Sequence, residues 1–181
     1  MILGFVGKMG SGKTLSMVRE AVKYYLEGYK IMSNFHLKIP YTPINFDTLY
    51  EMAENQDKLN NVVLLLDEVH IMLDSRSSMS KMSKVMTFWL NQTRKMGVKL
   101  LYTTQYLHQV DRRLRSGTDY VVMCNGMTLF VEQKEYFVVM NYMTDTEQHF
   151  EEIFVGNAFF KYYDTYEVIS FVKNEDDGLE V

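Results

Sequence analysis

One motif near the start of the chain constrains its fold more than any other feature. Residues 7–14 read Gly-Lys-Met-Gly-Ser-Gly-Lys-Thr, a complete G-x-x-x-x-G-K-[ST] pattern that follows a short apolar stretch, residues 1–6. Glycines at this spacing let backbone N–H groups surround phosphate oxygens, and the helix that follows adds the positive end of its dipole. The motif therefore predicts a strand, a phosphate loop and a helix that begins at Lys13. The predicted nucleotide-binding residues are Gly7, Lys8, Met9, Gly10, Ser11, Gly12, Lys13 and Thr14.

A second motif supplies the acidic groups that such a loop needs for hydrolysis. Residues 62–66 are all apolar and are followed by Asp67 and Glu68, which we call the acidic pair. Lys13 would reach the β- and γ-phosphates, and Thr14 and Asp67 would be ligands of Mg²⁺. Glu68 would orient and deprotonate the attacking water. Together the two motifs predict a chain that binds ATP with Mg²⁺ and hydrolyses it.

Length and composition favour one folded domain. The chain has 181 residues, 47% of them apolar, and we assign residues 1–173 to a single ATPase domain and residues 174–181 to an acidic tail. No run approaches about eighteen apolar residues, so the sequence predicts no membrane span. Residues 1–6 are interpreted as a strand and not as a signal peptide. The single cysteine, Cys124, cannot form an internal disulfide, and we expect a buried, inert thiol.

The charge is unevenly distributed along the chain. The net charge is −4, yet residues 75–118 contain nine lysines and arginines and one acid, Asp111, which gives that segment +8. A localised positive strip on an acidic protein is expected where a polyanion is gripped in one place. The alternative, a solvated helix face, stays open. The candidate nucleic-acid contacts are Lys81, Lys84, Arg112, Arg113 and Arg115.

The order of predicted elements indicates the fold class. Predicted strands lie at residues 2–6, 30–33, 62–66 and 99–104, and predicted helices at 13–27, 46–56, 78–96 and around 111–115. Strand-like runs at 120–123, 128–132 and 136–142 are separated by Asn125-Gly126, a strong hairpin signal, and by Gln133-Lys134. We expect an α/β fold, a RecA-like P-loop NTPase with a mainly parallel central sheet and an antiparallel C-terminal extension. The strand at 30–33, between the two motifs, and the acidic pair are typical of the additional-strand, catalytic-glutamate type.

Three further residues are candidates for catalysis. Gln105 follows a predicted strand and could sense the γ-phosphate. Hydrolysis sites of this kind often take an arginine from a neighbouring subunit, for which Arg94 is the first choice and Arg76 the second. The histidines show no metal-ligand spacing and are interpreted as structural or incidental; they are His36, His70, His108 and His149.

Several segments resemble a known superfamily. Residues 91–105 read Asn-Gln-Thr-Arg-Lys-Met-Gly-Val-Lys-Leu-Leu-Tyr-Thr-Thr-Gln, and residues 110–115 read Val-Asp-Arg-Arg-Leu-Arg. Residues 163–167, Tyr-Asp-Thr-Tyr-Glu, look like a closing motif of the same proteins. This pattern resembles the FtsK–HerA superfamily of DNA-pumping ATPases, in particular its viral genome-packaging and Zot-like branches.

The resemblance implies a RecA-like core that assembles into a hexameric or pentameric ring and threads double-stranded DNA with ATP. Lys13, Thr14, Asp67, Glu68 and Gln105 carry over as nucleotide site, metal ligand, base and sensor, whereas the trans arginine does not map cleanly onto Arg94 or Arg76. The implied partner is a viral capsid or portal vertex protein, in the host cytoplasm and transiently at the capsid vertex or in the virion. Zot-like proteins carry a membrane span after the ATPase domain, and the lack of one favours the packaging branch.

Three functions are compatible with the sequence. The leading hypothesis is an ATP-driven motor that packages double-stranded DNA into a capsid. The second is a Zot-like assembly or secretion ATPase that acts on protein or single-stranded DNA. The third, a nucleotide kinase or switch protein, is disfavoured by the +8 segment and the acidic pair. The sequence leaves open the choice between ATP and GTP.

Overall fold

An eight-stranded sheet between two helical layers forms the protein, in a computed structural model that describes residues 1–55, 59–74, 79–144 and 149–164. The strands are β1 (Ile2–Val6), β2 (Lys30–Ser33), β3 (Thr42–Pro43), β4 (Val62–Leu66), β5 (Lys99–Thr104), β6 (Tyr120–Val131), β7 (Lys134–Thr144) and β8 (His149–Val155). The helices are α1 (Lys13–Leu26), α2 (Phe46–Asn55), α3 (Val69–Asp74), α4 (Met79–Lys95) and α5 (Arg112–Gly117). Short 3-10 turns lie at Leu107–Gln109, Gly156–Ala158 and Phe160–Tyr162. The predicted tail, residues 174–181, lies outside the described residues.

The strand order confirms the predicted fold class. The order across the sheet is β3-β2-β4-β5-β1-β6-β7-β8. The first six strands in this order, from β3 across to β6, pair in parallel. The pairs β6–β7 and β7–β8 are antiparallel. The strand inserted between the two motif strands, β1 and β4, is β5. The strand at 30–33 separates the motifs only in sequence, because the helical crossover after it places β2 on the outer side of β4.

Two hydrophobic cores fix the central strands, one on each face of the sheet. In β4, Val63 and Leu65 face the core that contains α1, whereas Val62, Leu64 and Leu66 face the core formed with α2, α4 and α5. A strand covered on both faces must be apolar throughout, which explains why its sequence shows no alternation. The acidic pair that follows is thereby held at the carboxyl edge of a rigid strand.

The helix ends follow the predicted stop signals. Helix α1 ends before Gly28 and α4 before Gly97, and both glycines have a positive φ, 90° and 68°. Asp111 caps α5, and its carboxylate accepts a hydrogen bond from the Arg113 N–H at 2.8 Å. Cys124 is buried, and burial raises the pKa of its thiol to about 11, which agrees with an inert cysteine.

The hairpin predicted at Asn125-Gly126 is wrong. Both residues lie inside the continuous strand β6, where Gly126 pairs with Val139 of β7. The chain reverses at Glu132 and Gln133 instead, whose φ values of 49° and 65° give the left-handed conformation that a tight two-residue turn requires.

Gly126 serves a close approach and not a turn. A Cβ at this position would lie 2.5 Å from the ring of Phe137 and 3.1 Å from the carbonyl oxygen of Gly10 in the phosphate loop. Only glycine lets strand β6 pass this close to the loop backbone. The glycine at this position is therefore required by tertiary packing and not by a turn.

One face of the β6–β7–β8 extension is apolar and exposed. Alternation directs Val122 and Cys124 into the core with α1, so the intervening side chains lie on the opposite face. The apolar face comprises Met123, Met127, Leu129, Ile153 and Val155, which are each 40% to 59% exposed. No helix within the described ranges is long and apolar enough to cross a membrane.

Candidate active site

The phosphate loop connects β1 to α1 and rests on the strands of the extension. Gly10 and Gly12 both have a positive φ, 74° and 84°. A Cβ on Gly12 would lie 2.6 Å from Val139 Cγ2, and one on Gly7 would lie 2.6 Å from the carbonyl oxygen of Cys124. Strands β6 and β7 therefore pack against the loop. Glycine is required by the backbone conformation at Gly10, by space at Gly7, and by both at Gly12.

Lys13 lies between the phosphate loop and the acidic pair. Its side chain is only 6% exposed. The ammonium donates a hydrogen bond to the Lys8 carbonyl oxygen at 3.2 Å and lies 3.7 Å from Glu68 Oε1. The structure thus brings together the predicted phosphate-binding cation and the predicted base.

Asp67 and Thr14 place two oxygen atoms where the metal site was predicted. Thr14 Oγ1 donates to Asp67 Oδ1 at 2.9 Å, and Thr103 Oγ1 donates to the same oxygen at 2.6 Å. Burial raises the pKa of the Asp67 carboxyl, which is nearly inaccessible to solvent. A nearby cation would reverse that effect, because it favours the charged carboxylate.

The oxygen pair fits Mg²⁺ better than a softer metal. Mg²⁺ is commonly held by one or two protein oxygens together with water and phosphate oxygens. The described residues contain no cluster of three or more His, Cys, Asp or Glu that could form an all-protein metal site. When bound, Mg²⁺ neutralises charge on the phosphate oxygens. Thr14 and Asp67 are the residues that would hold it.

Glu68 adopts an unusual backbone conformation. Its φ of 46° lies in the left-handed region, which is uncommon for a residue with a side chain. Its N–H donates to Thr103 Oγ1 at 2.8 Å, which fixes the backbone at this point. Strain of this kind is often found at functional sites, where the surrounding structure maintains it.

Asn34 and Thr103 contact the acidic pair and were not predicted from the sequence. The Asn34 amide donates to the Asp67 carbonyl at 3.0 Å and accepts from the Asp67 N–H at 2.7 Å. Thr103 contacts the Asp67 carboxylate and the Glu68 N–H. Both are polar residues at the carboxyl ends of parallel strands, β2 and β5, where ligands of such sheets bind. That position was the signal that could have identified them.

The chain returns to this edge of the sheet at Tyr163. The Tyr163 ring is buried and packs edge-on against Phe35, with ring centroids 6.4 Å apart. Burial raises the pKa of its hydroxyl, and the charge of Asp67 adds to that effect. The predicted closing motif therefore begins next to the site, and its residues 165–167 lie outside the described residues.

The sensor and arginine candidates occupy different edges of the sheet. Gln105 directly follows β5, at the carboxyl edge that carries both motifs. Arg94 is exposed in the last turn of α4, near the start of β5 and thus at the opposite edge from the phosphate loop of its own chain. Arg76 lies outside the described residues. A role for Arg94 would therefore require a neighbouring subunit.

The basic segment is distributed over several elements. The Lys84 ammonium pairs with Glu54, and the Lys81 ammonium lies 5.1 Å from the centroid of the Tyr50 ring. Arg113 forms an ion pair with Asp111, two residues earlier, with 3.1 Å between the guanidinium nitrogen and Oδ2. Exposed cations remain at Arg94, Lys95 and Arg112, whereas Arg115 is half-buried. The nucleic-acid contacts stay a prediction.

Sequence comparison finds relatives among the Gene 1 proteins of phages. The chain is 30% identical over 142 residues to the Gene 1 protein of Enterobacteria phage fd, a match that covers 67% of this chain and 41% of that protein. The Gene 1 protein of Escherichia phage If1 is 26% identical over the same length. The chain thus matches less than half of the length of these relatives.

Structural comparison finds the same fold in a toxin domain and in a genome packaging NTPase. The N-terminal domain of zonular occludens toxin from Neisseria meningitidis superposes with a TM-score of 0.64 at 22% identity, covering 90% of this chain and 98% of that one. The genome packaging NTPase B204 from Sulfolobus turreted icosahedral virus 2, in complex with ATP-gammaS, superposes with a TM-score of 0.53 at 14% identity, covering 83% and 96%. These likenesses confirm the fold expected from the packaging and Zot-like resemblance.

The family follows from a match to the N-terminal two thirds of the chain. Residues 3–126 match the ATPase family associated with various cellular activities (AAA). The matched region contains the phosphate loop, the acidic pair and the strand inserted between them. Because it makes up more than half of the chain, this P-loop ATPase belongs to the AAA family.

Proposed function

We propose that the chain is an ATP-hydrolysing motor of phage assembly, a Zot-like ATPase that acts on protein or single-stranded DNA. The observation that carries the proposal is the convergence of Lys13, Thr14, Asp67 and Glu68 at one edge of the sheet, in a chain whose sequence relatives include phage Gene 1 proteins. Lys13 would bind the phosphates, Thr14 and Asp67 would hold Mg²⁺, and Glu68 would accept the proton of the attacking water. We place this activity in the host cytoplasm.

Double-stranded DNA translocation is the second candidate. It is favoured by the exposed cations Arg94, Lys95 and Arg112, which could contact phosphates. Its partners would be duplex DNA and a capsid or portal vertex protein. The lack of a predicted membrane span in this sequence does not separate the two candidates, because the match covers only 41% of the length of the phage relative. The remaining distinction is the substrate that hydrolysis moves.

Steady-state ATP hydrolysis distinguishes the two candidates. The assay compares no DNA, single-stranded DNA and linear duplex DNA at equal phosphate concentration, with the Glu68→Gln variant as the blank and the oligomeric state checked in the same buffer. We expect no specific stimulation by the duplex. Stimulation by duplex alone, lost as salt is raised, would reject the assembly function in favour of translocation.

We also propose that copies of the chain form a ring in which Arg94 completes the neighbouring site. The apolar face of β6–β8 is a surface that a second copy could cover, and it lies on the reverse side of the strands that support the phosphate loop. Arg94 lies too far along α4 to serve its own loop, as expected for a residue that acts in trans.

Mixing two inactive variants tests the trans arginine. Arg94→Ala protein retains Glu68 but lacks the arginine, and Glu68→Gln protein retains the arginine but lacks the base. We expect hydrolysis to reappear on mixing, because some sites then combine an intact base with an intact neighbour. Arg94→Ala protein that is fully active alone, or a mixture as inactive as its components, would exclude Arg94 from this role. Lys95→Ala, the adjacent exposed cation, is the matched control.

A further inference from the structure

His70 contacts the side chain of the proposed base. Its Nδ1 lies 3.4 Å from Glu68 Oε2, and both side chains are about four-fifths buried, with 20% and 22% exposed. The histidine spacing in the sequence indicates no metal site and gives no sign of this contact. We propose that His70 is a positioning residue for hydrolysis, which holds the Glu68 carboxylate through Oε2. This inference rests on the proposed role of Glu68.

Each oxygen of the Glu68 carboxylate faces a different nitrogen. Lys13 Nζ lies 3.7 Å from Oε1, and His70 Nδ1 lies on the other side, next to Oε2. Within the part of the chain that the structure describes, Oε2 is buried and accepts no well-aligned hydrogen bond. Buried carboxylate oxygens normally have a donor, and Nδ1 is the group placed to become one. Contacts of this kind are often long until a substrate aligns them.

Lys13 cannot hold the carboxylate and the phosphates equally well. Its ammonium already bonds the Lys8 carbonyl of the phosphate loop, and its proposed task is to bind phosphate oxygens. When Lys13 serves the phosphates, its attraction for Glu68 Oε1 weakens. His70 then remains to fix the rotamer of the base, on a backbone that is already constrained by the left-handed φ of Glu68.

A second contact ties the imidazole to strand β5. Thr104 Oγ1 lies 3.5 Å from His70 Nδ1 and donates to the Tyr106 carbonyl at 3.2 Å. His70, in the first turn of α3, is thus attached to the strand end that precedes the sensor candidate Gln105. Nδ1 carries a single proton, so Thr104 Oγ1 would share the N–H that faces Glu68 Oε2.

Substitution of His70 tests the inference through the separation of kcat from binding. We expect His70→Ala to lower kcat for ATP by about 10- to 100-fold, the effect of losing one hydrogen bond to a charged group. The KM for ATP and the Kd for a non-hydrolysable ATP analogue should change by less than about twofold, because Lys13 and the loop are untouched. The matched control is His36→Ala, since His36 is exposed and contacts Tyr41.

A conservative variant separates positioning from folding. The amide of His70→Asn offers a donor close to the position of Nδ1, so we expect it to recover most of the kcat that His70→Ala loses. Thermal unfolding of all variants is measured in parallel. An unchanged kcat for His70→Ala, or equal losses for Ala and Asn with normal unfolding temperatures, would overturn the inference.

The double variant distinguishes failure of His70 from failure of Glu68. If His70 acts through the base, His70→Ala should cause no further loss in the Glu68→Gln background. A further loss of the full single-variant size would overturn the inference and leave the base assignment standing. Wild-type hydrolysis by Glu68→Gln itself would instead remove Glu68 as the base, and the inference with it.

Discussion

Replacing Glu68 by glutamine is expected to lower kcat for ATP hydrolysis by about a thousandfold, within the range that a positioned general base contributes. An amide has nearly the same shape as the carboxylate but cannot accept the proton of the attacking water. Nucleotide binding should persist, because removing the negative charge 3.7 Å from Lys13 frees that ammonium for phosphate. Phosphate release and the Kd of a fluorescent ATP analogue would be measured on the same protein.

A second carboxylate provides the control for this substitution. Glu54 is exposed and also pairs with a lysine, Lys84, but it lies on α2 away from the carboxyl edge of β4. Glu54→Gln should therefore hydrolyse ATP at the normal rate. If Glu68→Gln retained a tenth or more of the wild-type rate (roughly 1.4 kcal/mol in barrier), a positioned general base at this residue would be excluded.

Replacing Lys13 by alanine is expected to weaken ATP binding by about a hundredfold or more, since each charge-assisted hydrogen bond is worth about 1.5–3 kcal/mol. The buried ammonium is the one cation that lies between the phosphate loop and the acidic pair in the described site. Its loss also leaves the Glu68 carboxylate without its lysine partner, so hydrolysis should become undetectable. Equilibrium binding of the ATP analogue checks this directly.

The neighbouring Lys8 is the natural control for Lys13. Its side chain is exposed, and only its backbone carbonyl contacts Lys13. Lys8→Ala should therefore bind ATP nearly as the wild type does. Wild-type affinity in Lys13→Ala would show that the loop backbone alone binds the nucleotide, and a thermal unfolding curve would identify a variant that has simply lost its fold.

The bounds of several elements could be predicted where the sequence contains a local start or stop signal. The phosphate loop, the bounds of β4 and the ends of α1 and α4 at Gly28 and Gly97 could all be predicted. In each case the signal is a backbone requirement or a continuous apolar run, and neither depends on distant parts of the chain. The same rules identified Lys13, Thr14, Asp67 and Glu68, which lie together at the carboxyl edge of the parallel strands.

Contacts between segments that are distant in the chain could not be predicted from such local signals. Asn34 and Thr103 contact Asp67 only because β2 and β5 flank β4, an order that the sequence does not state. His70 was missed because its partner, Glu68, stands two residues away on a turn with an unusual φ. Gly126 was misinterpreted because its neighbour, the phosphate loop, lies more than a hundred residues earlier in the chain.

Because β7 packs against the phosphate loop, it determines how short a fragment of the chain can be and still hold the loop in place. The region recognised by family similarity stops at residue 126, in the middle of β6. A fragment cut there would keep every residue predicted to touch nucleotide or metal, yet it would lose Val139 and Phe137, which lie against Gly12. The boundary of the catalytic module is therefore set by the strands that pack against the loop, and it lies beyond residue 126, where the family match ends.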